Sequence, residues 1–97
     1  MGFEWDERKN RLNIENHGID FTDAWLIFEG PMLVGIDDRE DYGEIRLIGI
    51  GYLNAIAVVI VFTEPSPEKI RVISIRKAIR YERERFEKAI TNRLDET

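Results

Sequence analysis

The clearest pattern along the chain is the continuous apolar segment Ala55–Phe62, which is β-branched in its middle. Such a run predicts a central strand that is covered on both faces. Shorter apolar segments bounded by turn residues predict four more strands. These segments are residues 3–5, 32–36, 45–50 and 70–75.

Two helices are predicted between the first strand and the second. Asp6 stands at an N-cap position and Gly18 at a left-handed C-cap position, so the first helix should end at about Asn16, with Leu12 facing inward. Asp20 predicts the start of the second helix. Its expected inward stripe, at helical spacing, is Phe21, Ala24, Trp25 and Phe28.

A helical period begins again at Arg76 and predicts a C-terminal helix. Its expected inner side is formed by Ile79, Phe86 and Ile90. Arg76, Arg80 and Arg83 would form one ridge beside that stripe, where guanidinium groups could clamp successive phosphates. They could equally pair with acids of the same helix, namely Glu82, Glu84 and Glu87.

The predicted order is β-α-α-β-β-β-β-α, with short turns between consecutive strands. This order indicates an α+β fold, in which an antiparallel sheet of about four strands carries two N-terminal helices and one C-terminal helix. A chain of 97 residues is long enough for one modest core. We therefore expect residues 1–97 to form a single domain.

The distribution of charge matters more than the net charge of −5. Residues 1–68 hold 5 basic and 14 acidic side chains, a net of −9, whereas residues 69–93 hold 9 basic and 3 acidic ones, a net of +6. Such a chain could bind RNA with its last third while a basic protein covers the acidic part. The alternative is an ordinary charged surface helix.

Composition also limits the compartment and the chemistry. The chain has no cysteine, which excludes disulfides and thiolate metal sites. Residues 1–6 lack the basic and apolar regions of a secretory signal, and no apolar run approaches the roughly 20 residues of a membrane span. We therefore expect a cytoplasmic protein without a membrane partner.

Three polar features could carry chemistry. His17 is the only histidine, and its side chain suits proton transfer near neutrality, although a helix end also favours histidine for its dipole. Glu44 and Arg46 should share one face of a strand, as a functional pair or as an edge salt bridge. The acidic residues 37–41 lack a calcium-loop motif and should be solvated, so no metal or cofactor is predicted.

Three motifs follow one another along the chain. The first consists of Phe3, Glu4, Trp5, Asp6, Lys9, Asn13, His17, Gly18, Ile19 and Phe21. The second consists of Glu44, Arg46, Ile50 and Gly51, and the third of Arg71, Ile73, Ser74, Arg76, Ala78, Glu82 and Arg83. Together these motifs resemble the BrnT family, the toxin halves of bacterial toxin–antitoxin systems, and the resemblance covers nearly the whole chain.

The resemblance implies a compact fold like that of the RelE toxins and metal-independent cleavage of RNA that arrests translation. It implies neutralisation by a BrnA-like antitoxin with a ribbon-helix-helix domain, and contact with operator DNA only through that antitoxin. In such cleavage a ribose 2′-OH attacks the neighbouring phosphate, a base removes its proton, and fixed cations stabilise the charge that develops.

The resemblance also assigns roles to individual residues. Arg46 and Arg76 would stabilise the transition state, and either His17 or Glu44 would be the general base. The flanking phosphates would be bound by Lys9, Arg71, Arg80 and Arg83.

Two positions depart from the family pattern. Pro65 and Asn16 stand where family members usually have arginine and lysine, so each removes a positive charge from a place where RNA could run. The alternative is therefore a catalytically degenerate toxin homologue that acts only as the protein-binding partner of a DNA-binding antitoxin.

Overall fold

The computed structural model describes residues 1–95 and has the α+β class predicted from the sequence. The elements, in chain order, are β1 (Gly2–Glu4), α1 (Glu7–His17), a 3-10 turn (Phe21–Asp23), α2 (Ala24–Glu29), β2 (Met32–Asp37), β3 (Arg46–Leu53), β4 (Ile56–Ser66), β5 (Lys69–Lys77) and α3 (Arg80–Asp95). No helix in this part of the chain is long and apolar enough to cross a membrane.

The sheet has five strands in the order β1-β5-β4-β3-β2 and is mixed. β2 to β5 are antiparallel to their neighbours, as predicted, but β1 joins β5 in parallel, with Phe3 opposite Ile70. The prediction of an antiparallel sheet of about four strands is wrong in this respect. Turn residues in the sequence indicate that the two strands they connect are paired. They give no information on β1, because its partner β5 is not the next strand along the chain.

Both predicted caps of α1 are confirmed. The Asp6 carboxylate accepts hydrogen bonds from the backbone N–H groups of Arg8 and Lys9, and Gly18 adopts a left-handed conformation with φ of 70°. The predicted inward position of Leu12 is wrong, because its side chain is exposed. The residues of α1 that are buried are Asn10 and Asn13.

Asn13 joins α1 to the open edge of the sheet. Its Nδ2 donates to the carbonyl oxygens of Ile75 at 2.8 Å and Ile19 at 2.9 Å, and its Oδ1 accepts from the N–H of Ile75 at 3.1 Å. β1 pairs with β5 only at residues 69–71, so at Ile75 the amide takes the place of a neighbouring strand. This arrangement closes an edge that would otherwise leave backbone groups unpaired.

The second predicted helix is a 3-10 turn followed by the short helix α2. Asp20 caps this segment as predicted, by accepting from the N–H of Thr22. Phe21 and Ala24 are buried, but Trp25 is 49% exposed, so its predicted inward position is wrong. A 3-10 turn has 3.0 residues per turn, which shifts the helical stripe, and Ile27 takes the inward position.

The central strand β4 is covered on both faces, as predicted, and every residue from Val58 to Thr63 is buried. Ile60 and Phe62 face the core beneath α1 and α2, and Val59 faces α3. Close packing under α2 depends on Gly51, because a Cβ there would lie 2.8 Å from Cγ2 of Ile27.

The C-terminal helix begins at Arg80, not at Arg76 as predicted. The pairing of β4 with β5 continues through Val59–Arg76 and Val58–Lys77, which keeps Arg76 on a strand. Arg76 therefore does not share a helical ridge with Arg80, and Ile79 is 62% exposed rather than inward. The inner side of α3 is formed by Phe86, which is buried, and Ile90, which packs beside it.

Two strands end later than predicted. The β3–β4 hairpin turns at Asn54 and Ala55, both with positive φ, so β3 continues to Leu53, beyond its predicted end at residue 50. β4 continues through Pro65 to Ser66 before the chain turns into β5. Both strands are therefore longer than their apolar segments indicate.

We predict that Asn13→Ala lowers the free energy of unfolding by about 2–4 kcal/mol, because it leaves buried backbone groups of Ile75 and Ile19 without partners. Asn16→Ala, at an exposed position of the same helix, should change it by less than about 0.5 kcal/mol. Urea unfolding monitored by circular dichroism measures both. Equal effects of the two substitutions would contradict the proposed role of Asn13 at the sheet edge.

Candidate active site

The sheet face that packs on α3 carries a polar row at the end remote from the β3–β4 hairpin. The strand register places Glu4 opposite Arg71, Arg71 opposite Thr63, and Asp37 opposite Arg46. Leu47 pairs with Phe62, which brings Arg46 and Thr63 side by side. Arg76 projects from the same side of β5, since its partner Val59 also faces α3.

We call this surface the arginine face and define it by Arg39, Arg46, Arg71 and Arg76. Arg39 belongs to it because it is bound to Asp37 of the polar row. The sequence-based prediction included the other three arginines and omitted Arg39.

Arg46, at the start of β3, is held over an aromatic ring. Its Cζ lies 3.9 Å from the centroid of Tyr42, a cation–π contact. Its Nε lies 3.6 Å from Oε1 of Glu44, which is an ion pair but too long for a hydrogen bond. The structure thus brings Glu44 and Arg46 together, although Glu44 lies in the loop before β3 and not on the strand.

Two buried polar atoms at this position lack hydrogen-bond partners among the described residues. They are Nε of Arg46 and Oγ1 of Thr63, on adjacent strands. An unsatisfied buried group costs about 1–3 kcal/mol, and a catalytic role is one reason why such a group persists in a native structure. The pair therefore indicates the part of the arginine face where a ligand oxygen would be stabilised most.

Asp37 is the acid around which the segment between β2 and β3 is organised. Its carboxylate accepts from Nε and Nη2 of Arg39 at 2.7 and 2.8 Å, and from the hydroxyl of Tyr42 at 3.4 Å. The hydrogen bonds from Arg39 lower the pKa of Asp37 to about 2. The prediction that the acidic residues 37–41 are solvated is wrong for Asp37, whose side chain is buried because an arginine two residues away pairs with it.

Arg76 is paired with an acid of α3. Its guanidinium donates twice to Glu82, at 2.8 Å each, and Oε1 of Glu82 also accepts from the N–H of Ile79, which caps the helix. These bonds to Glu82 raise the pKa of Arg76, while the positive charge of Arg39 acts in the opposite direction. Arg39 and Arg76 are therefore within electrostatic range of each other.

The other predicted phosphate ligands lie in ion pairs or on α1. Arg71 donates to Glu4 at 2.8 Å within the polar row. Arg80 and Arg83 pair with Glu84 and Glu87 one turn along α3, at 2.8 and 3.9 Å. Lys9 is exposed in the first turn of α1.

His17 lies away from the arginine face. It is exposed at the end of α1, next to Gly18, which lines a cavity together with Leu53 at the end of β3. Arg46 is at the opposite end of β3, about 23 Å from Leu53 along the strand. The structure therefore brings Glu44, and not His17, next to Arg46.

The description of the family model that matches residues 5–82 is "Ribonuclease toxin, BrnT, of type II toxin-antitoxin system". The chain belongs to the BrnT family. The crystal structure of the Brucella abortus ribonuclease toxin BrnT is similar to it, with 32% sequence identity and a TM-score of 0.64 over 82% of this chain and 99% of that one. No curated protein matches the chain.

Membership of the BrnT family confirms the resemblance that the sequence motifs indicated and makes this chain a toxin of a type II toxin–antitoxin system. Ribonuclease activity and an antitoxin partner follow at the level of the family. The matched segment contains all four arginines of the arginine face and ends at Glu82 in the first turn of α3.

We predict that Asp37 makes the protein sensitive to acid. Because the pKa of Asp37 is lowered to about 2, its ionised form contributes stability above the ordinary pKa near 3.8, and this contribution is lost as the pH falls towards 2. Urea unfolding should therefore show that Asp37→Asn is less stable than the parent at pH 6 and approaches it between about pH 4 and pH 2. A difference in stability that does not change with pH would contradict this prediction.

Proposed function

We propose that this chain is an endoribonuclease that cleaves RNA without a metal ion and thereby inhibits translation. The observation that carries the proposal is Arg46, whose buried Nε lacks a hydrogen-bond partner in the part of the chain that the structure describes, beside the equally unpartnered Thr63. A phosphate oxygen is the ligand that a guanidinium group binds best.

The proposed reaction needs only the RNA and side chains of the protein. The ribose 2′ oxygen forms a bond to the adjacent phosphorus as its proton passes to a general base, and the bond from phosphorus to the 5′ oxygen breaks as that oxygen gains a proton. The products are a 2′,3′-cyclic phosphate and a 5′-hydroxyl. Negative charge grows on the phosphate oxygens in the transition state, so fixed cations accelerate the reaction.

In this proposal Arg46 stabilises the transition state, and Arg71 and Arg76 bind the phosphate charge beside it. Glu44 is the general base, because its carboxylate lies 3.6 Å from the Nε of Arg46 and its side chain is 41% exposed, so RNA can reach it. Lys9, Arg80 and Arg83 keep a role outside the cleavage site, as ligands of flanking phosphates.

One observation supports cleavage without metal. Several guanidinium groups supply the positive charge on this face that a metal ion supplies in other nucleases.

We also propose that the antitoxin partner is a BrnA-like protein with a ribbon-helix-helix domain, and that operator DNA is contacted only through it. The charge distribution supports a basic partner. Residues 1–68 carry a net charge of −9, which attracts a basic protein surface.

One observation favours a non-catalytic alternative. Three arginines of the arginine face are already hydrogen-bonded to acids, in the pairs Arg39–Asp37, Arg71–Glu4 and Arg76–Glu82. Pairing of this kind reduces the charge available to RNA. In this alternative the chain binds its antitoxin and has lost RNA cleavage.

We predict that the purified chain cleaves single-stranded RNA in excess EDTA and that Arg46→Ala slows cleavage by about 100-fold or more. Arg46→Lys should also be slow, because lysine cannot reproduce the planar guanidinium. Arg11→Ala, an exposed arginine on α1, is the matched control and should cleave like the parent.

Gel analysis of end-labelled RNA measures these rates. Loss of cleavage in EDTA, or an Arg46→Ala variant as active as Arg11→Ala, would contradict the proposed mechanism. A folded parent that cleaves none of several RNAs would favour the non-catalytic alternative.

We predict that Glu44→Gln lowers kcat by about 100-fold or more, because the amide cannot accept the 2′-OH proton. His17→Ala should retain kcat within about 3-fold, since His17 lies at the other end of β3. The reverse result, with loss of activity only in His17→Ala, would assign the base to His17.

A further inference from the structure

The segment between β2 and β3 is held by one buried acid, Asp37. Both of its oxygens accept from Arg39, in the parallel two-bond geometry that is the strongest arginine–carboxylate pairing. The Tyr42 hydroxyl donates to the same carboxylate, and the Tyr42 ring lies under the guanidinium of Arg46. One carboxylate therefore contacts one arginine directly and a second arginine through a tyrosine.

Arg39 is fixed on one side and open on the other. Two of its nitrogens are bound to Asp37, yet its side chain is 65% exposed. A guanidinium group has five N–H donors, so the donors that point away from Asp37 can bind a phosphate in a fixed orientation. The positive charge of Arg39 opposes the rise in the pKa of Arg76, so Arg39 lies within electrostatic range of that one arginine.

Tyr42 restrains Arg46, whose Nε–H makes no hydrogen bond within residues 1–95. The ring centroid lies 3.9 Å from Cζ, so the ring limits the movement of the guanidinium plane. The ring is limited in turn by the hydroxyl contact with Asp37 at 3.4 Å. Small displacements of a catalytic group reduce rates strongly, so this restraint has a measurable consequence.

We propose that Asp37 positions two guanidinium groups for RNA: it holds Arg39 as an additional phosphate ligand and orients Arg46 through Tyr42. The inference rests on the proposed ribonuclease function and adds three residues to it. Arg39 contacts the RNA, while Asp37 and Tyr42 are positioning residues that act through the two arginines.

The first test measures the salt dependence of binding to a short single-stranded RNA with 2′-O-methyl groups, which cannot be cleaved. Each lost phosphate contact should reduce the slope of log K against log salt by about 0.7. Arg39→Ala should show this reduction, and Arg39→Lys should retain the slope because it keeps the charge. Arg11→Ala is the control for loss of an arginine elsewhere.

The second test separates kcat from KM with cleavable RNA. Tyr42→Leu should lower kcat by about 10- to 100-fold without the change in salt slope seen for Arg39→Ala. Tyr42→Phe keeps the ring beside Arg46 but removes its hydroxyl contact with Asp37, so its kcat should fall between those of the parent and of Tyr42→Leu, with the salt slope of the parent. Asp37→Asn should show both effects, a lower kcat and a smaller salt slope.

The outcomes separate this inference from the function on which it rests. If Arg46→Ala cleaves like the parent, the proposed ribonuclease site is wrong. If Arg46→Ala is inactive but Arg39→Ala has the salt slope of Arg11→Ala, only the phosphate role of Arg39 is overturned. A Tyr42→Leu variant with the kcat of the parent overturns the positioning of Arg46, and the binding measurement tests Arg39 even if the parent does not cleave.

Discussion

The structure depends on the burial of β4 on both faces. A strand that is apolar on both sides requires cover above and below, and the two sides of this sheet are covered unequally. α1, the 3-10 turn and α2 bury one face, whereas α3 contributes Phe86 to a smaller cluster on the other. The part of the second face that α3 leaves uncovered must carry polar side chains, and it is there that the arginine face lies. The need to cover β4 thus determines where the site is.

The arginine face is built from cations that acids hold in place. Asp37, Glu4 and Glu82 each bind an arginine, and Glu44 lies beside Arg46 without a hydrogen bond. Each acid fixes the orientation of its guanidinium group but also cancels its positive charge. The arginine face therefore provides hydrogen-bond donors in fixed orientations rather than a strong positive electrostatic potential. This combination suits a reaction in which charge develops at one phosphate, and it is compatible with an overall acidic chain that attracts a basic protein partner.

Local signals in the sequence predicted most elements and part of the site. Asp6, Gly18 and Asp20 act through hydrogen bonds within a few residues, so their caps could be identified from spacing. The burial of Asn13 could not be predicted from spacing, because its partner Ile75 is distant in sequence and an asparagine is ordinarily expected at the surface. The helical spacing of the apolar residues predicts Arg76 on a helix, but the pairing of β5 with β4 keeps it on a strand. The candidate residues Arg46 and Arg76 come from the motif resemblance and stay predictions, whereas the contacts among Asp37, Arg39 and Tyr42 arise only after the loop folds.

The central claim is that RNA is cleaved on the sheet face around Arg46, while Arg80 and Arg83 of α3 bind only flanking phosphates. The most direct measurement is an NMR titration of the labelled protein with a 2′-O-methyl RNA, following the arginine Nε–H resonances and the backbone amides. The account predicts that the Arg46 Nε–H signal shifts and becomes protected, together with amides of β3 and of the loop before it. Shifts confined to the region of His17, or to Arg80 and Arg83 on α3, would contradict it.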